Sequence, residues 1–207
     1  MLILHYTGMA SAAAALDRLC DAAARVSAHY LIDEDGAIFR LVDEAMRAWH
    51  AGAASWHGAT DINDRSIGIE LVNPGHEFGY RPFPEDQMEA LIGLARDILA
   101  RHPIPPEGGL GHSDVAPMRK QDPGELFPWR RLAAAGIGVW PEAVAPDDTT
   151  TSRAVELLSR LGYATGGEAE TRAAITAFQR RYRPARLDGV LDGETAALIR
   201  ALVRIGS

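Results

Sequence analysis

A segment rich in proline, aspartate and threonine, residues 141–151, divides the chain and limits what can fold on either side of it. This composition is typical of a linker. The roughly 140 residues before it suffice for a domain with a sizeable hydrophobic core, whereas the roughly 55 residues after it approach the smallest size that folds alone. The sequence therefore predicts domains at residues 1–140 and 152–207, joined by a linker at 141–151.

Strand-type and helix-type segments alternate before the linker. Four apolar segments have the length of strands: residues 2–6, 27–31, 37–42 and 66–72. Helices are predicted at residues 11–25 and 84–101, the second from an apolar stripe at helical spacing behind Pro84. The turn signal at 33–36 makes the two middle strands a hairpin. This order predicts an α/β fold, with a mixed central β-sheet flanked by helices.

Three short helices are predicted after the linker, at residues 152–161, 170–182 and 196–205. They would form a small three-helix domain that is an independent module, and such a module needs a compact core. The candidate core residues are Leu157, Leu158, Ile175, Phe178, Leu187, Val190, Leu198 and Leu202.

Composition excludes several classes of protein. The chain has 207 residues, of which 47% are hydrophobic and 24% charged, and a net charge of −7 gives no basic surface for nucleic acid. No apolar run approaches the ~18 residues of a membrane span. The apolar start, residues 1–4, is too short for a signal peptide, so we expect a cytoplasmic protein. If the N-terminus is truncated, the periplasm or cell envelope becomes the alternative location.

The segment from Gly111 to Gly124 contains the chemistry of a metal site. His112 and Asp122 are candidate ligands and Lys120 is a candidate electrostatic catalyst, in a stretch that Gly and Pro predict to be a loop rather than a helix. His5 ends an apolar strand, where its side chain can face a cleft. If the fold adds His5, the resulting His/His/Asp set would leave one tetrahedral position of a zinc ion open for water, as in hydrolases.

Glu70 is unusual because it is an ionisable residue on an otherwise apolar strand. Alternation places Ile67, Ile69 and Leu71 on one face of this strand and Ser66, Gly68 and Glu70 on the other. Glu70 either faces solvent at a sheet edge or lies in a cleft beside the metal, where burial would raise its pKa toward that of a general base. Trp49, His50 and Asn63 are read either as local packing or as a substrate wall, whereas His76 is taken as structural or surface.

Five motifs in one order carry a family resemblance: residues 4–7, 26–32, 48–52, 63–71, and 111–114 with 120–124. Over residues 2–135 the chain resembles the zinc-dependent type 2 N-acetylmuramoyl-L-alanine amidases, relatives of the peptidoglycan recognition proteins. The resemblance implies hydrolysis of the amide between N-acetylmuramic acid, or its 1,6-anhydro form, and L-alanine. It assigns Zn2+ to His5, His112 and Asp122, the general base to Glu70, the oxyanion stabiliser to Lys120, and the substrate groove to Trp49, His50 and Asn63.

The C-terminal segment has a second resemblance. Residues 177–180 and 187–195 are similar to the three-helix peptidoglycan-binding domain of wall hydrolases. Residues 165–171 depart from the usual Gly-x-Phe/Tyr-Gly approach to the second helix. Both wall binding and a purely structural appendage therefore stay open, as does the choice between intact peptidoglycan and a soluble muropeptide as the partner.

Two other functions stay open on the sequence. A recognition module would bind peptidoglycan without cutting it; retention of Asp122 argues against this, since recognition proteins that have lost the third ligand bind without cutting. A structural zinc protein would need a fourth ligand, for which His29 and Cys20 are the nearest candidates. Cys20 is the single cysteine, which excludes an intramolecular disulfide, and on an Ala-rich helix it is expected to be a small buried residue.

Overall fold

The computed structural model describes residues 1–142, 145 and 151–205, and these contain one five-stranded sheet. Its strands are β1 (Leu2–Tyr6), β2 (Tyr30–Ile32), β3 (Ile38–Arg40), β4 (Ile67–Leu71) and β5 (Gly109–Gly111). They lie in the order β3-β2-β4-β1-β5. β1 is parallel to β4 and β5, β2 is parallel to β4, and β3 is antiparallel to β2. The predicted mixed sheet and hairpin are confirmed.

Helices flank the sheet and follow it. They are α1 (Ala12–Cys20), α2 (Gly75–Phe78), α3 (Glu85–Arg101), α4 (His112–Val115), α5 (Trp129–Ala134), α6 (Thr151–Arg160), α7 (Glu168–Tyr182) and α8 (Gly193–Ile205). α3 begins one residue later than predicted, because Pro84 is its N-cap residue. The acidic side chains in its first turn interact favourably with the positive end of the helix dipole. Its apolar stripe packs on the face of β4 formed by Ile67, Ile69 and Leu71. None of the described helices is long and apolar enough to span a membrane.

Three further sequence-based expectations for the α/β part are wrong. α1 ends at Cys20 rather than Arg25, because the Asp21 side chain accepts a hydrogen bond from the Ala23 N–H and starts a separate 3-10 turn. Cys20 is exposed rather than buried. Residues 112–115, predicted to be loop, form the single helical turn α4, and the Asp114 carboxylate accepts the Gly111 N–H at its start. Such a local cap stabilises even one turn of helix.

The core of the C-terminal helices is largely as predicted. Leu157, Leu158, Ile175, Phe178 and Leu202 are buried, and Leu187 and Leu198 are partly buried. The prediction that Val190 is a core residue is wrong, since its side chain is 50% exposed. The Gln179 side chain donates to the Val190 carbonyl oxygen and accepts the Gly189 N–H, so this loop is held through its backbone. Ile199, which was not predicted, is fully buried one turn before Leu202.

These helices share a hydrophobic core with the α/β part. One cluster of buried residues contains Ile3, Trp56, Leu110 and Val115 together with Leu158, Tyr163 and Phe178. Part of the apolar surface of the C-terminal segment is therefore covered by the sheet and its loops. Most of the predicted linker, residues 143–144 and 146–150, lies outside the described residues. The domain boundaries stay predictions.

Candidate active site

The ends of β1 and β5 bring three predicted ligands together. His5 is near the end of β1, His112 begins α4 directly after β5, and Asp122 follows in the next loop. The Nδ1 atoms of His5 and His112 are 2.9 Å apart, and each lies 3.0 Å from Oδ2 of Asp122. All three side chains are buried. Among the described residues they form a group that can hold a metal ion, with ligand atoms within 4.8 Å of one another.

The far sides of the two rings determine which nitrogens face this group. Nε2 of His112 is 3.0 Å from the Ala51 carbonyl oxygen, to which it can only donate. The tautomer with its proton on Nε2 presents a bare lone pair at Nδ1. Nε2 of His5 is 3.0 Å from Nδ1 of His50, and donation in that direction gives His5 the same arrangement. Two imidazole lone pairs and a carboxylate oxygen then converge, a donor set that fits zinc with one position left open.

His50 and Asn63 support this group from behind. The His50 ring is buried, and its Nε2 is 3.3 Å from Oγ of Ser66, whose hydroxyl donates to a backbone carbonyl. Oδ1 of Asn63 accepts the N–H groups of His50 (3.1 Å) and Ala51 (2.8 Å). Partners of this kind orient the ligands of metal sites. Of the predicted substrate-groove residues, Trp49 is the one that is half exposed at the cleft.

Burial and charge keep His5 and Asp122 in their metal-binding forms. Burial, reinforced by the nearby His112 ring, lowers the pKa of His5 to about 4. Burial alone would raise the pKa of Asp122, but the charges and hydrogen bonds of His112 and His5 outweigh it and lower that pKa. Near neutral pH the imidazole of His5 is thus neutral and the carboxylate of Asp122 is ionised, as metal coordination requires.

Glu70 lies in the same cleft. β4 lies between β1 and β2, so the alternative of a sheet edge is wrong. Glu70 pairs in register with His5, and neighbouring residues in register point to the same face of a sheet. Its Oε2 atom is buried and has no hydrogen-bond partner. Burial, with help from Asp122, raises the pKa of Glu70 well above its usual value, and Lys120 opposes that rise.

The cleft in front of these groups has a volume of about 410 Å3. It is lined by His5, Trp49, Glu70, His112, Lys120 and Asp122, among others. Lys120 is partly buried, and its charge lowers the pKa of both His5 and Glu70. Within the described ranges it forms no salt bridge, so its ammonium is available to a ligand. The adjacent Arg119 instead binds the carbonyl oxygens of Ala51 and Ala53, which fixes the loop behind His112.

The structure adds a hydrogen-bonded chain that sequence reasoning missed. The Tyr6 hydroxyl is 2.9 Å from Nδ1 of His76, whose Nε2 is 3.0 Å from a carboxylate oxygen of Glu125. Tyr6 follows the ligand His5 and lines the cleft. His76 is exposed, in agreement with its reading as a surface residue, and it also contacts a residue that lines the cleft. No sequence signal indicated this, because Tyr6 and Glu125 are 119 positions apart and no motif joins them.

The structure contradicts a closed, structural zinc site. Nδ1 of His29 accepts the Gly68 N–H at 2.9 Å and its Nε2 donates to the Met46 carbonyl oxygen at 3.0 Å, so both ring nitrogens are engaged. Cys20 is exposed. Neither residue belongs to the metal-binding group found in the described part of the chain.

Comparison with known proteins identifies both parts of the chain. Residues 1–125 match the family model of N-acetylmuramoyl-L-alanine amidase, and residues 149–199 match that of a peptidoglycan binding domain. The chain is 41% identical to N-acetylmuramoyl-L-alanine amidase AmiD of Escherichia coli over 98% of this chain and 82% of AmiD.

Solved structures of related proteins have the same fold as this chain. The structure of E. coli AmiD with the substrate anhydro-N-acetylmuramic acid-L-Ala-D-gamma-Glu-L-Lys superposes with a TM-score of 0.90, covering 99% of this chain and 88% of that one at 41% identity. AmpDh3 of Pseudomonas aeruginosa gives a TM-score of 0.91 at 37% identity, covering 99% and 91%. The chain belongs to the N-acetylmuramoyl-L-alanine amidase family.

Proposed function

We propose that this chain is a zinc enzyme that hydrolyses the amide bond between N-acetylmuramic acid, or its 1,6-anhydro form, and L-alanine. The observation that carries the proposal is the convergence of His5, His112 and Asp122 beside Glu70, whose buried Oε2 atom has no hydrogen-bond partner. The relatives support the substrate: E. coli AmiD binds an anhydro-muramyl peptide, and AmpDh3 has been solved with anhydromuramic pentapeptide.

His5, His112 and Asp122 would hold the zinc ion. When bound, zinc supplies Lewis acidity that lowers the pKa of water to about 7. Glu70 takes a proton from the attacking water, for which its raised pKa suits it, and returns that proton to the leaving amine of L-alanine. Lys120 lines the same cleft, where its ammonium would stabilise the negative charge that develops on the carbonyl oxygen.

Further side chains orient the predicted metal ligands and line the cleft. His50 and Asn63 fix the two histidine ligands and the loop at Ala51, while Trp49 offers an exposed aromatic face to the sugar or peptide. The C-terminal helices bind peptidoglycan in this proposal, which their family match supports. The substrate is then either the intact wall or a fragment released from it.

Zinc-loaded protein incubated with an anhydro-muramyl tripeptide tests the activity. Mass spectrometry should find an anhydro-sugar with a free lactyl carboxylate and a peptide with a free L-alanine amine, whose masses together exceed that of the substrate by one water. Asp122→Asn is the matched control, because it keeps the side-chain shape but weakens the metal ligand. Recovery of intact substrate from the wild-type protein would favour a binding-only module. Parallel assays on sacculi would separate wall from soluble substrate.

A further inference from the structure

Asp114 is a buried carboxylate, two of whose partners come from the C-terminal segment. It lies two residues after the ligand His112 and is 1% exposed. Its Oδ1 accepts the hydroxyl of Tyr163 at 2.6 Å, and its Oδ2 accepts Nη1 of Arg181 at 2.7 Å. The same Oδ2 accepts the Gly111 N–H at 2.8 Å, which caps the helical turn that begins with His112. The charge of Asp114 is thus satisfied from both parts of the chain.

Arg181 also contacts the strand that leads to His112. Its Nη2 donates to the Gly109 carbonyl oxygen at 3.0 Å, and its guanidinium carbon lies 3.9 Å from the centroid of the Trp129 ring. Gly109 begins β5, and His112 directly follows the end of β5. One guanidinium therefore holds the start of β5 and, through Asp114, the turn after it.

Burial makes this ion pair necessary. Arg181 is 4% exposed and Asp114 is 1% exposed, so water cannot solvate either charge if the other is removed. Ions buried in this way are costly unless they are paired and hydrogen-bonded. The Trp56 and Tyr163 rings pack edge to face beside the pair, with centroids 5.0 Å apart. Loss of Arg181 would leave the Asp114 carboxylate unpaired next to a metal ligand, and the turn carrying His112 would shift to relieve it.

We propose that the C-terminal helices form part of the support of the metal centre. Arg181 and Tyr163 are positioning residues that hold His112, through Asp114, where its Nδ1 binds the metal. This inference rests on the proposed zinc function, because it assigns these residues a role in metal affinity. It gives the C-terminal segment a task in addition to contact with the wall.

The test compares Arg181→Met with Arg183→Met in the full-length protein. Arg183 is a matched control: it follows α7, is 6% exposed and pairs with Asp192 at 2.5 Å, within the C-terminal helices and away from β5. Zinc affinity is measured by competition with a chromophoric chelator, and the ligand field by the visible spectrum of the cobalt-substituted protein. We expect Arg181→Met to lower zinc affinity about tenfold or more and to alter the cobalt spectrum. Arg183→Met should lower the melting temperature yet leave both readouts unchanged.

Tyr163→Phe keeps the ring and removes one hydrogen bond to Asp114, so it should weaken zinc binding in the same direction but less. If Arg181→Met does not fold, the zinc affinity of Tyr163→Phe tests the inference. Partial recovery of affinity in Arg181→Lys would support the ionic contact. Wild-type zinc affinity and cobalt spectrum in both Arg181→Met and Tyr163→Phe would overturn the inference. Failure of the wild-type protein itself to bind zinc would instead overturn the proposed function.

Discussion

His5 and Glu70 stand opposite each other in register on two neighbouring parallel strands, β1 and β4. The first is a buried metal-ligand candidate, and the second has a carboxylate oxygen without a hydrogen-bond partner. Sheet geometry alone therefore places a carboxylate next to the predicted metal ligand, on two hydrogen-bonded strands.

Glu70→Gln should remove the general base and leave the metal site intact. General acid-base groups contribute about 10^2 to 10^4 in rate, so we expect turnover to fall by at least a hundredfold with zinc stoichiometry unchanged. Because burial raises the pKa of Glu70, the neutral amide should also make the metal-free protein more stable near neutral pH. Turnover and zinc content are measured on the same preparation. Near-wild-type turnover with zinc bound would show that Glu70 is not the base.

Lys120 is the one lysine of the sequence, in a chain with 20 arginines. Lys120→Ala should lower turnover about a hundredfold or more while zinc stays bound, because it removes the charge that stabilises the oxyanion. Lys120 is the single lysine target in this sequence for an amine-directed acylating reagent that spares the exposed Cys20 thiol, so inactivation should follow acylation of Lys120 in the peptide mass map. Lys120→Arg, which such reagents do not acylate, is the control for the N-terminal amine. Full activity after complete acylation of Lys120 would contradict its role.

Removal of the metal should both inactivate and destabilise the protein. A ligand that binds only the folded state at about 1,000 times its dissociation constant stabilises it by about 4 kcal/mol. Treatment with a chelator should therefore lower the melting temperature, and zinc should restore it. Asp122→Asn should start at the lower temperature and respond little to zinc, since one of the three ligands is impaired. Equal melting temperatures for wild type with and without zinc would argue against a bound metal.

The larger part of the fold was predictable because its signals are local. Alternation in β4 and the apolar stripe of α3 are read directly from neighbouring residues, and both elements are present. The turn α4 was not predicted; its cap Asp114 also binds Arg181, 67 residues away, and that contact is not visible in the local sequence. The shared core between the α/β part and the C-terminal helices likewise depends on contacts between distant segments, such as Trp56 with Tyr163.

Sequence motifs predicted which residues form the candidate site, but not which of them contact one another. The set of His5, His112 and Asp122 followed from motif and resemblance, and the structure brings the three together. The positions of His50 and Asn63 behind the ligands did not follow, since a motif gives a residue's type but not the direction of its hydrogen bonds. Their roles, like those of Glu70 and Lys120, stay predictions.

Gly68 tests the support that His50 gives to His5. A Cβ at position 68 would overlap the His50 ring, so Gly68→Ala should displace this ring from Nε2 of His5. We expect zinc affinity to fall about 10- to 100-fold, as for other residues that orient metal ligands. Gly93→Ala is the matched control, because position 93 is inside α3 with open space around it. It should raise stability by up to about 1 kcal/mol and leave zinc affinity unchanged. Wild-type zinc affinity in Gly68→Ala would show that His50 does not orient His5.

The stability of the metal-free protein should depend on pH through His5. Burial lowers the pKa of His5 from 6.5 to about 4 in the folded state, so between these values the unfolded chain binds a proton that the folded chain does not. The contribution of His5 to the free energy of unfolding is therefore fully present above pH 6.5 and is lost as pH falls toward 4. The loss is about 3 kcal/mol, since one pKa unit corresponds to about 1.4 kcal/mol.

Denaturant unfolding of chelator-treated protein between pH 4 and 7 measures the slope of the unfolding free energy against pH. Glu70, with its raised pKa, acts in the opposite direction and loses stability as pH rises above about 4.5, and the lowered pKa of His50 adds to the His5 trend. Variants isolate the contribution: His5→Asn should flatten the slope, whereas His57→Asn, which changes an exposed histidine, should keep it. Asparagine also tolerates the positive φ of 49° at position 57, so the control adds no backbone strain. An unchanged slope in His5→Asn would place the proton uptake on another group and remove the pH argument for a neutral ligand at His5.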